Sequence, residues 1–419
     1  MLNLHATSTE ARTAARRADR FKARHTLWDE SSLPRVQNCG RAKQRNELGV
    51  VLRVKTDGVS RRAGWANVQH CGSVWACSVC SATISAHRQS DIERALTAWY
   101  SGAATEYGDW GRVALVTLTM RHRKGQSLAS LWDALAESWN LAASGAGWAA
   151  DQLAHGELVF GAVYKRGSKK GLPRVKGSIP VIRVVEVTEG ANGWHVHVHA
   201  LLLLPSSATD ETVAALGASM WARWLGALEA RGLDCDRAHG VDARLFHGDP
   251  SAALGQYFTK ATYQGSMEVA RGDMKSARHG NRTPFALLAD IVTRGDADDL
   301  DTWHEFERAS KGRRQIAWSH GLRARLLPVE EVVELTDAEI LERDAGGDDV
   351  AEINGDLWAA IVRRRADYKV LRAFEGSSSE GFALLWVLAD AAQLDGAQQW
   401  ADLLAAPPDP LRRGWQSKE

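Results

Sequence analysis

The segment Val181–Leu204, VIRVVEVTEGANGWHVHVHALLLL, constrains the fold more than any other stretch of the chain. Two apolar, β-branched runs flank Gly190-Ala191-Asn192-Gly193, and Asn-Gly supplies the positive φ angles that a tight hairpin needs. The segment therefore predicts paired strands over Val181–Val187 and Trp194–Leu204. Strand alternation puts His195, His197 and His199 on one face and Val196, Val198 and Ala200 on the other. Three imidazoles on one face of an apolar strand, with no ligand, would leave several buried polar groups unsatisfied. A metal site accounts for them better. Glu186 on the preceding strand, or Glu189 nearer the turn, can approach the histidines across the hairpin. Two histidines and a carboxylate leave coordination positions open, so a bound metal could act as a Lewis acid on a phosphate or carbonyl oxygen. Such a mixed nitrogen and oxygen set accepts magnesium, manganese or zinc.

Further strands are expected over Val113–Met120, where Thr117 and Thr119 alternate with Val116 and Leu118, and over Val241–Leu245. Helical spacing marks Ser85–Tyr100, Leu128–Leu141, Glu211–Arg231 and the amphipathic Phe382–Leu404. Gly161–Gly177 is rich in Gly, Lys and Arg and reads as a basic loop or hairpin. Strands paired by hairpins with helices inserted between them predict an α+β fold, with a central antiparallel β-sheet and flanking helices. No GxGxxG follows a strand and no GxxxxGK[ST] occurs, which argues against a dinucleotide site or a P-loop ATPase. A helix starting at Asp249-Pro250-Ser251 carries Tyr257-x-x-Lys260, with phenol and ammonium one turn apart. A phenol, with its pKa of ~10, becomes a useful nucleophile when a metal polarises the target and a cation stabilises the charge.

Four of the five cysteines fall between Cys39 and Cys80. Cys71-x5-Cys77-x2-Cys80, with Cys39 as fourth ligand, has the spacing of a structural zinc site in which thiolates fill every position. His70 is an alternative fourth ligand, but it adjoins Cys71, and neighbours rarely both point into one site. Five cysteines are too few for a disulfide scaffold, which suits an intracellular protein. The polar, Arg-rich start has no apolar core of a secretory signal, and no apolar run approaches the ~20 residues that span a bilayer. A cytoplasmic protein with no membrane partner is expected.

The 52 Lys and Arg against 51 Asp and Glu, net +1, argue against a nucleic-acid binder when taken whole. The sum hides a split. Residues 329–419 carry 9 basic against 19 acidic residues, net −10, and residues 1–328 carry 43 against 32, net +11. Such asymmetry hints at a nucleic-acid-binding body with an acidic tail. Of the 17 tryptophans, Trp65, Trp75 and Trp194 are candidates for stacking on bases, whereas Trp99, Trp132 and Trp139 at helical spacing suit a core.

VALVTLTMRHR, then EVTEGANGWHVHVHALLLL, then GQYFTKATY resemble, in that order, the three motifs of the HUH endonucleases, and most closely the rolling-circle replication initiators of bacterial plasmids. The cysteine segment NCGR…HCGSVWACSVCSATI and the stretches ARGDMKSARHGNRTPFALL and WHEFERASKGRRQIAWSHGLR are similar to the flanking regions of one plasmid branch. The resemblance covers roughly residues 36–330. It implies a cysteine-rich zinc module at 36–100, an HUH endonuclease domain at 101–270 and a basic extension at 271–328; composition and charge add a basic arm at 1–35 and an acidic helical tail at 329–419.

The resemblance further implies His197 and His199 as metal ligands, Glu186 as the third with Glu189 in reserve, and His195 as a neighbouring or substrate-contacting group. Tyr257 would be the nucleophile and Lys260 its charge partner. The implied cofactors are magnesium or manganese at the nuclease site and structural zinc at Cys39, Cys71, Cys77 and Cys80. The implied partners are a single-stranded or extruded plasmid origin and the host helicase and polymerase. Arg121, His122, Arg123 and Lys124 would contact phosphates, with Lys275, Arg278, Arg282, Lys311, Arg313 and Arg314 extending the basic surface. Two positions depart from the family pattern: Ala261 stands where some relatives carry a second tyrosine, and Ala253 where others carry a glutamate for a terminating water. A zinc-dependent DNA-binding regulator without chemistry, and a relaxase or transposase of the same superfamily, are the competing readings.

Overall fold

The structure, a computed structural model, describes residues 3–44, 49–58, 60–103, 109–236, 238–252, 254, 281–327, 335–344 and 346–392. In chain order the elements are α1 (Asn3–Glu30), α2 (Pro34–Gln37), β1 (Val50–Asp57), β2 (Ser60–Ala66), α3 (Ser78–Tyr100), β3 (Arg112–Thr119), α4 (Leu128–Ala142) and α5 (Gly145–His155). Then follow β4 (Glu157–Val163), β5 (Pro173–Ser178), β6 (Val181–Gly190), β7 (Gly193–Leu204), α6 (Asp210–Glu229), β8 (Val241–Leu245), α7 (Pro284–Arg294) and α8 (Ala297–Ser310). Last come β9 (Ile316–Trp318), α9 (Leu322–Leu326), α10 (Asp337–Asp344), β10 (Asp348–Ile353), α11 (Gly355–Arg363), α12 (Asp367–Gly376) and α13 (Ser378–Asp390). No helix among the described residues is long and apolar enough to cross a membrane.

The chain divides into two units, one built from residues 1–72 and 337–419 and the other from the continuous segment 73–336. In the first unit β1 lies between β10 and β2 in an antiparallel three-stranded sheet. The acidic region thus supplies a strand as well as helices. The basic N-terminal stretch is one long helix, α1, tied to α12 by a buried charged cluster. Asp367, fully buried, accepts hydrogen bonds from Arg24 and, at 2.6 Å, from His25 Nε2. The Phe21 and Tyr368 rings meet beside it at 4.8 Å.

The second unit is built on a five-stranded antiparallel sheet in the order β8-β3-β7-β6-β9. This is the central antiparallel sheet that the hairpin pattern predicts. β7, at its centre, is buried along most of its length, and its stretch Ala200–Leu204 is apolar on both faces. On one face Ile92, Leu96 and Trp99 of α3 pack on Val113, Ile182, Val184, Leu201 and Leu203. The Trp99 indole N–H donates to the backbone carbonyls of Arg112 and Leu204, which satisfies its one polar atom in the core. His197 and His199 lie on this same face, where the apolar packing ends. The opposite face carries Val116, Leu118, Val196 and Val198, all buried. Of the turn Gly190–Gly193 only Gly193 has a positive φ, 81°; Asn192 does not, so the turn is not the doubly left-handed form that Asn-Gly suits. A Cβ at Gly193 would stand 3.4 Å from Lys124 Cα, so the loop after β3 packs close on this turn.

Candidate functional site

Cross-strand pairing assembles the site. Glu186 stands opposite His197 across β6 and β7, while Thr117 and Thr119 of β3 stand opposite His199 and His197. Directly opposed residues share a face of a sheet. The carboxylate of Glu186 therefore reaches both imidazoles: its Oε2 lies 2.9 Å from Nε2 of His197 and 2.9 Å from Nε2 of His199. The far nitrogen of His199, Nδ1, is 3.0 Å from the Thr117 hydroxyl. That bond fixes the ring, as a second partner does for metal-binding histidines generally.

Burial by itself would raise the Glu186 pKa, but the hydrogen bonds and charge of His197 and His199 outweigh it and hold the carboxylate well below its usual range. Burial likewise lowers the His199 pKa, against the pull of Glu186. His195 continues the row without joining the cluster. Its ring lies 4.8 Å from that of His197 and stacks on His122 at 4.8 Å and 20°. Burial, then His197 and His122, push its pKa down to about 3, so it is neutral at ordinary pH. His122, whose pKa burial also lowers, joins the site from the loop after β3.

The ligand atoms of Glu186, His197 and His199 lie within 4.8 Å of one another and could hold a metal ion. Two imidazoles and a carboxylate converging from one side leave the other positions to substrate and water, as in a catalytic site. A carboxylate held ionised beside two imidazole nitrogens is a donor set suited to a divalent cation.

Glu189 is not part of this set. It is three residues from Glu186, so strand alternation turns it to the other face, where it binds Arg282 at 2.9 Å. Arg282 also binds Asp290 at 3.1 Å and Asp299 at 2.8 Å, and these carboxylates raise its pKa. Arg121 pairs with Asp234 and Asp236, and Arg313 with Asp133. Arg123, Lys124, Lys311 and Arg314 are exposed. Tyr257, Lys260, Lys275 and Arg278, with Ala253 and Ala261, lie outside the described residues. Thr117 and His122 are the site residues whose contacts the sequence did not reveal. The signal for Thr117 was its alternation with Val116 and Leu118.

The sulfurs of Cys39, Cys71, Cys77 and Cys80, all buried, also lie within 4.8 Å of one another. None forms a disulfide. Cys77 occupies the N-cap position of α3 and Cys80 lies in its first turn. The Cys39 sulfur accepts the Cys71 backbone N–H at 3.4 Å. Four buried thiols could bind a metal such as zinc in a closed tetrahedral site. His70 is not in this cluster.

The three tryptophans considered for base stacking are core residues instead. Trp65, Trp75 and Trp194 are buried, and their indole N–H groups donate to Asp367 O, Arg313 O and Glu305 Oε2 respectively. Each ring is held by its own polar atom, so none is free to meet a base.

The described residues thus combine an antiparallel sheet with a two-histidine, one-carboxylate cluster and a four-cysteine cluster. The chain is 31% identical to the Protein rep of Streptomyces lividans, over 85% of this chain and 89% of that protein. It belongs to the family of that Rep protein. It is also 33% identical to a neomycin resistance protein of Streptomyces cyanogenus over 140 residues, 32% of this chain and 30% of that protein. No protein-family model matches the chain. No solved structure matches it.

Proposed function

We propose that this protein initiates rolling-circle plasmid replication by nicking one strand at the origin and joining strands through a covalent phosphotyrosine, as an HUH endonuclease. The observation that carries the reading is the convergence of Glu186 Oε2 on His197 Nε2 and His199 Nε2, both at 2.9 Å, inside a member of the Rep family. A divalent cation, magnesium or manganese, would supply polarisation of the scissile phosphodiester and charge neutralisation there. Glu186, His197 and His199 would hold it, Thr117 would orient His199, and His195 and His122 would border the substrate as neutral hydrogen-bonding groups.

The phenol oxygen of Tyr257 attacks the phosphorus. The bond to the 3′ oxygen breaks, the 5′-phosphate stays on the tyrosine, and the departing 3′ oxygen takes up a proton. Lys260 stabilises the phenolate and the phosphate charge. The free 3′-hydroxyl primes synthesis by host helicase and polymerase. The reverse step joins ends without ATP, because the phosphotyrosine retains the energy of the cut bond. Exposed Arg123 and Lys124, next to the hairpin turn, contact backbone phosphates. The four-cysteine cluster binds zinc as a structural element.

The test is incubation with an origin-like single strand, labelled on the 3′ side of the nick, plus manganese. A protein–DNA adduct that survives denaturant is expected, and Tyr257→Phe is expected to abolish it. No adduct, or an adduct retained by Tyr257→Phe, would overturn the reading.

A further inference from the structure

β4 and β5 form a two-stranded ribbon separate from the five-stranded sheet. Val159 pairs with Lys176 and Phe160 with Val175. The connecting loop is closed by the Tyr164 N–H to Leu172 O bond and the Gly171 N–H to Tyr164 O bond, both 2.9 Å, and turns through positive φ angles at Gly167 and Gly171. The base of the ribbon is anchored. A Cβ at Gly177 would stand 1.9 Å from the Gln152 carbonyl oxygen of α5, and Glu157 binds Arg325 at 2.6 Å. Beyond that base nearly every residue is exposed.

The charge of the ribbon is one-sided. Between Glu157 and Ser178 stand Lys165, Arg166, Lys169, Lys170, Arg174 and Lys176 against the single acid Glu157, which is buried and already paired. Among the described residues none of the six cations meets a carboxylate. The Arg174 guanidinium instead lies over the Tyr164 ring at 5.1 Å, with the Lys169 ammonium 6.0 Å from the same ring. Clustered cations repel one another, and a polyanion removes that repulsion while releasing its own counterions.

We propose that the ribbon Glu157–Ser178 binds duplex DNA by lying in the major groove beside the nick site, its lysines and arginines on the flanking phosphates. The shape fits. A strand of this length extends roughly 20 Å at ~3.3 Å per residue, two strands lie ~4.8 Å apart, and a major groove ~12 Å wide admits a two-stranded ribbon. Phe160 and Val175, opposed and exposed, present apolar surface suited to thymine methyl groups. Ile179-Pro180 joins the ribbon directly to β6, and Glu186 follows Val181 by about 17 Å of strand, half a turn of duplex. The assignment rests on the reading of the Glu186 centre as a DNA-nicking site.

The test uses the full chain with Lys165→Gln, Arg166→Gln, Lys169→Gln and Lys170→Gln combined, and a companion with the three lysines changed to arginine. Binding to a short labelled duplex of arbitrary sequence, and to one of its strands, is measured across a salt series. The glutamine variant should lose duplex affinity by about tenfold or more relative to single-strand affinity. Its log–log salt slope should fall by about 3–4, at ~0.9 per phosphate contact. The arginine companion should keep wild-type duplex binding. Unchanged duplex affinity and slope, or equal losses on both DNA forms, would overturn the proposal. The adduct assay separates the two readings. An adduct-forming wild type whose glutamine variant keeps duplex binding sinks the ribbon alone. Duplex binding lost in the variant, with no adduct from the wild type, sinks the nuclease alone.

Discussion

Replacing Thr117 by Val tests whether the third strand tunes the metal centre or merely packs beside it. The hydroxyl is 3.0 Å from His199 Nδ1, and the His199 ring is almost fully buried. Without metal, His199 Nε2–H donates to Glu186, so Nδ1 accepts from the hydroxyl. With a cation on Nε2 the proton must sit on Nδ1 and donate to the same hydroxyl. A threonine serves both states because it both donates and accepts; valine, of the same shape, serves neither. The metal-free protein should therefore lose about 1 kcal/mol, the ordinary net worth of a neutral hydrogen bond. The metal-bound state loses more, because a cation on the ring makes Nδ1–H a charge-assisted donor worth ~1.5–3 kcal/mol. The difference, about 1 kcal/mol, corresponds to roughly fivefold to tenfold weaker binding. Calorimetric titration with manganese gives the affinity and thermal unfolding without metal gives the stability. Thr117→Ser should keep both. Wild-type manganese affinity in Thr117→Val would refute the orienting role, and equal losses in the serine and valine variants would assign the effect to strand packing.

Three further outcomes follow from the described geometry. Purified wild-type protein should release about one zinc per chain on thiol modification; Cys71→Ser should abolish the release and Cys235→Ser, outside the cluster, should not, so zinc retained by Cys71→Ser would exclude the site. Asp367→Asn removes the partner of a buried arginine, a loss of about 3–5 kcal/mol and roughly 10 °C in melting temperature. Burial would raise the Asp367 pKa, but Arg24 and His25 hold it below the usual range. Its contribution is therefore present above the ordinary aspartate pKa and lost as pH falls, so the wild-type advantage should shrink in acid; an advantage constant with pH would contradict this. Finally, His195 ring resonances in metal-free protein should not titrate between about pH 5 and 8, because its pKa is pushed down to about 3; a midpoint near 6.5 would show the ring to be solvated.

What was legible beforehand follows physical range. The β6–β7 hairpin and its three histidines could be read because a strand's period is local and a metal-binding row breaks the expected apolar pattern. The choice between Glu186 and Glu189 was not local. It depends on register, and only the pairing of Glu186 with His197 turns one carboxylate toward the metal face and leaves the other to Arg282. The same limit hid the pairing of Val50–Asp57 with Asp348–Ile353, strands from opposite ends of the chain that bear no mark of each other. Trp65, Trp75 and Trp194 were misread because an indole ring suits a base and a core equally well. Their hydrogen-bond partners decide, and these come from distant residues.

Charge obeys the same rule. Summed by segment, Arg121 and Arg282 count toward a basic body as much as Lys165 or Lys170 do, yet their surroundings differ. Arg282 faces Glu189, Asp290 and Asp299, and Arg121 faces Asp234 and Asp236, so little of either charge reaches a distant phosphate. The ribbon's cations have no such partners among the described residues, and a phosphate approaching them displaces nothing. A nucleic-acid surface is therefore marked by basic residues without local acids rather than by basic residues as such. Net charge is blind to that distinction, which is why a chain at +1 can carry six cations against one acid on the hairpin of residues 157–178.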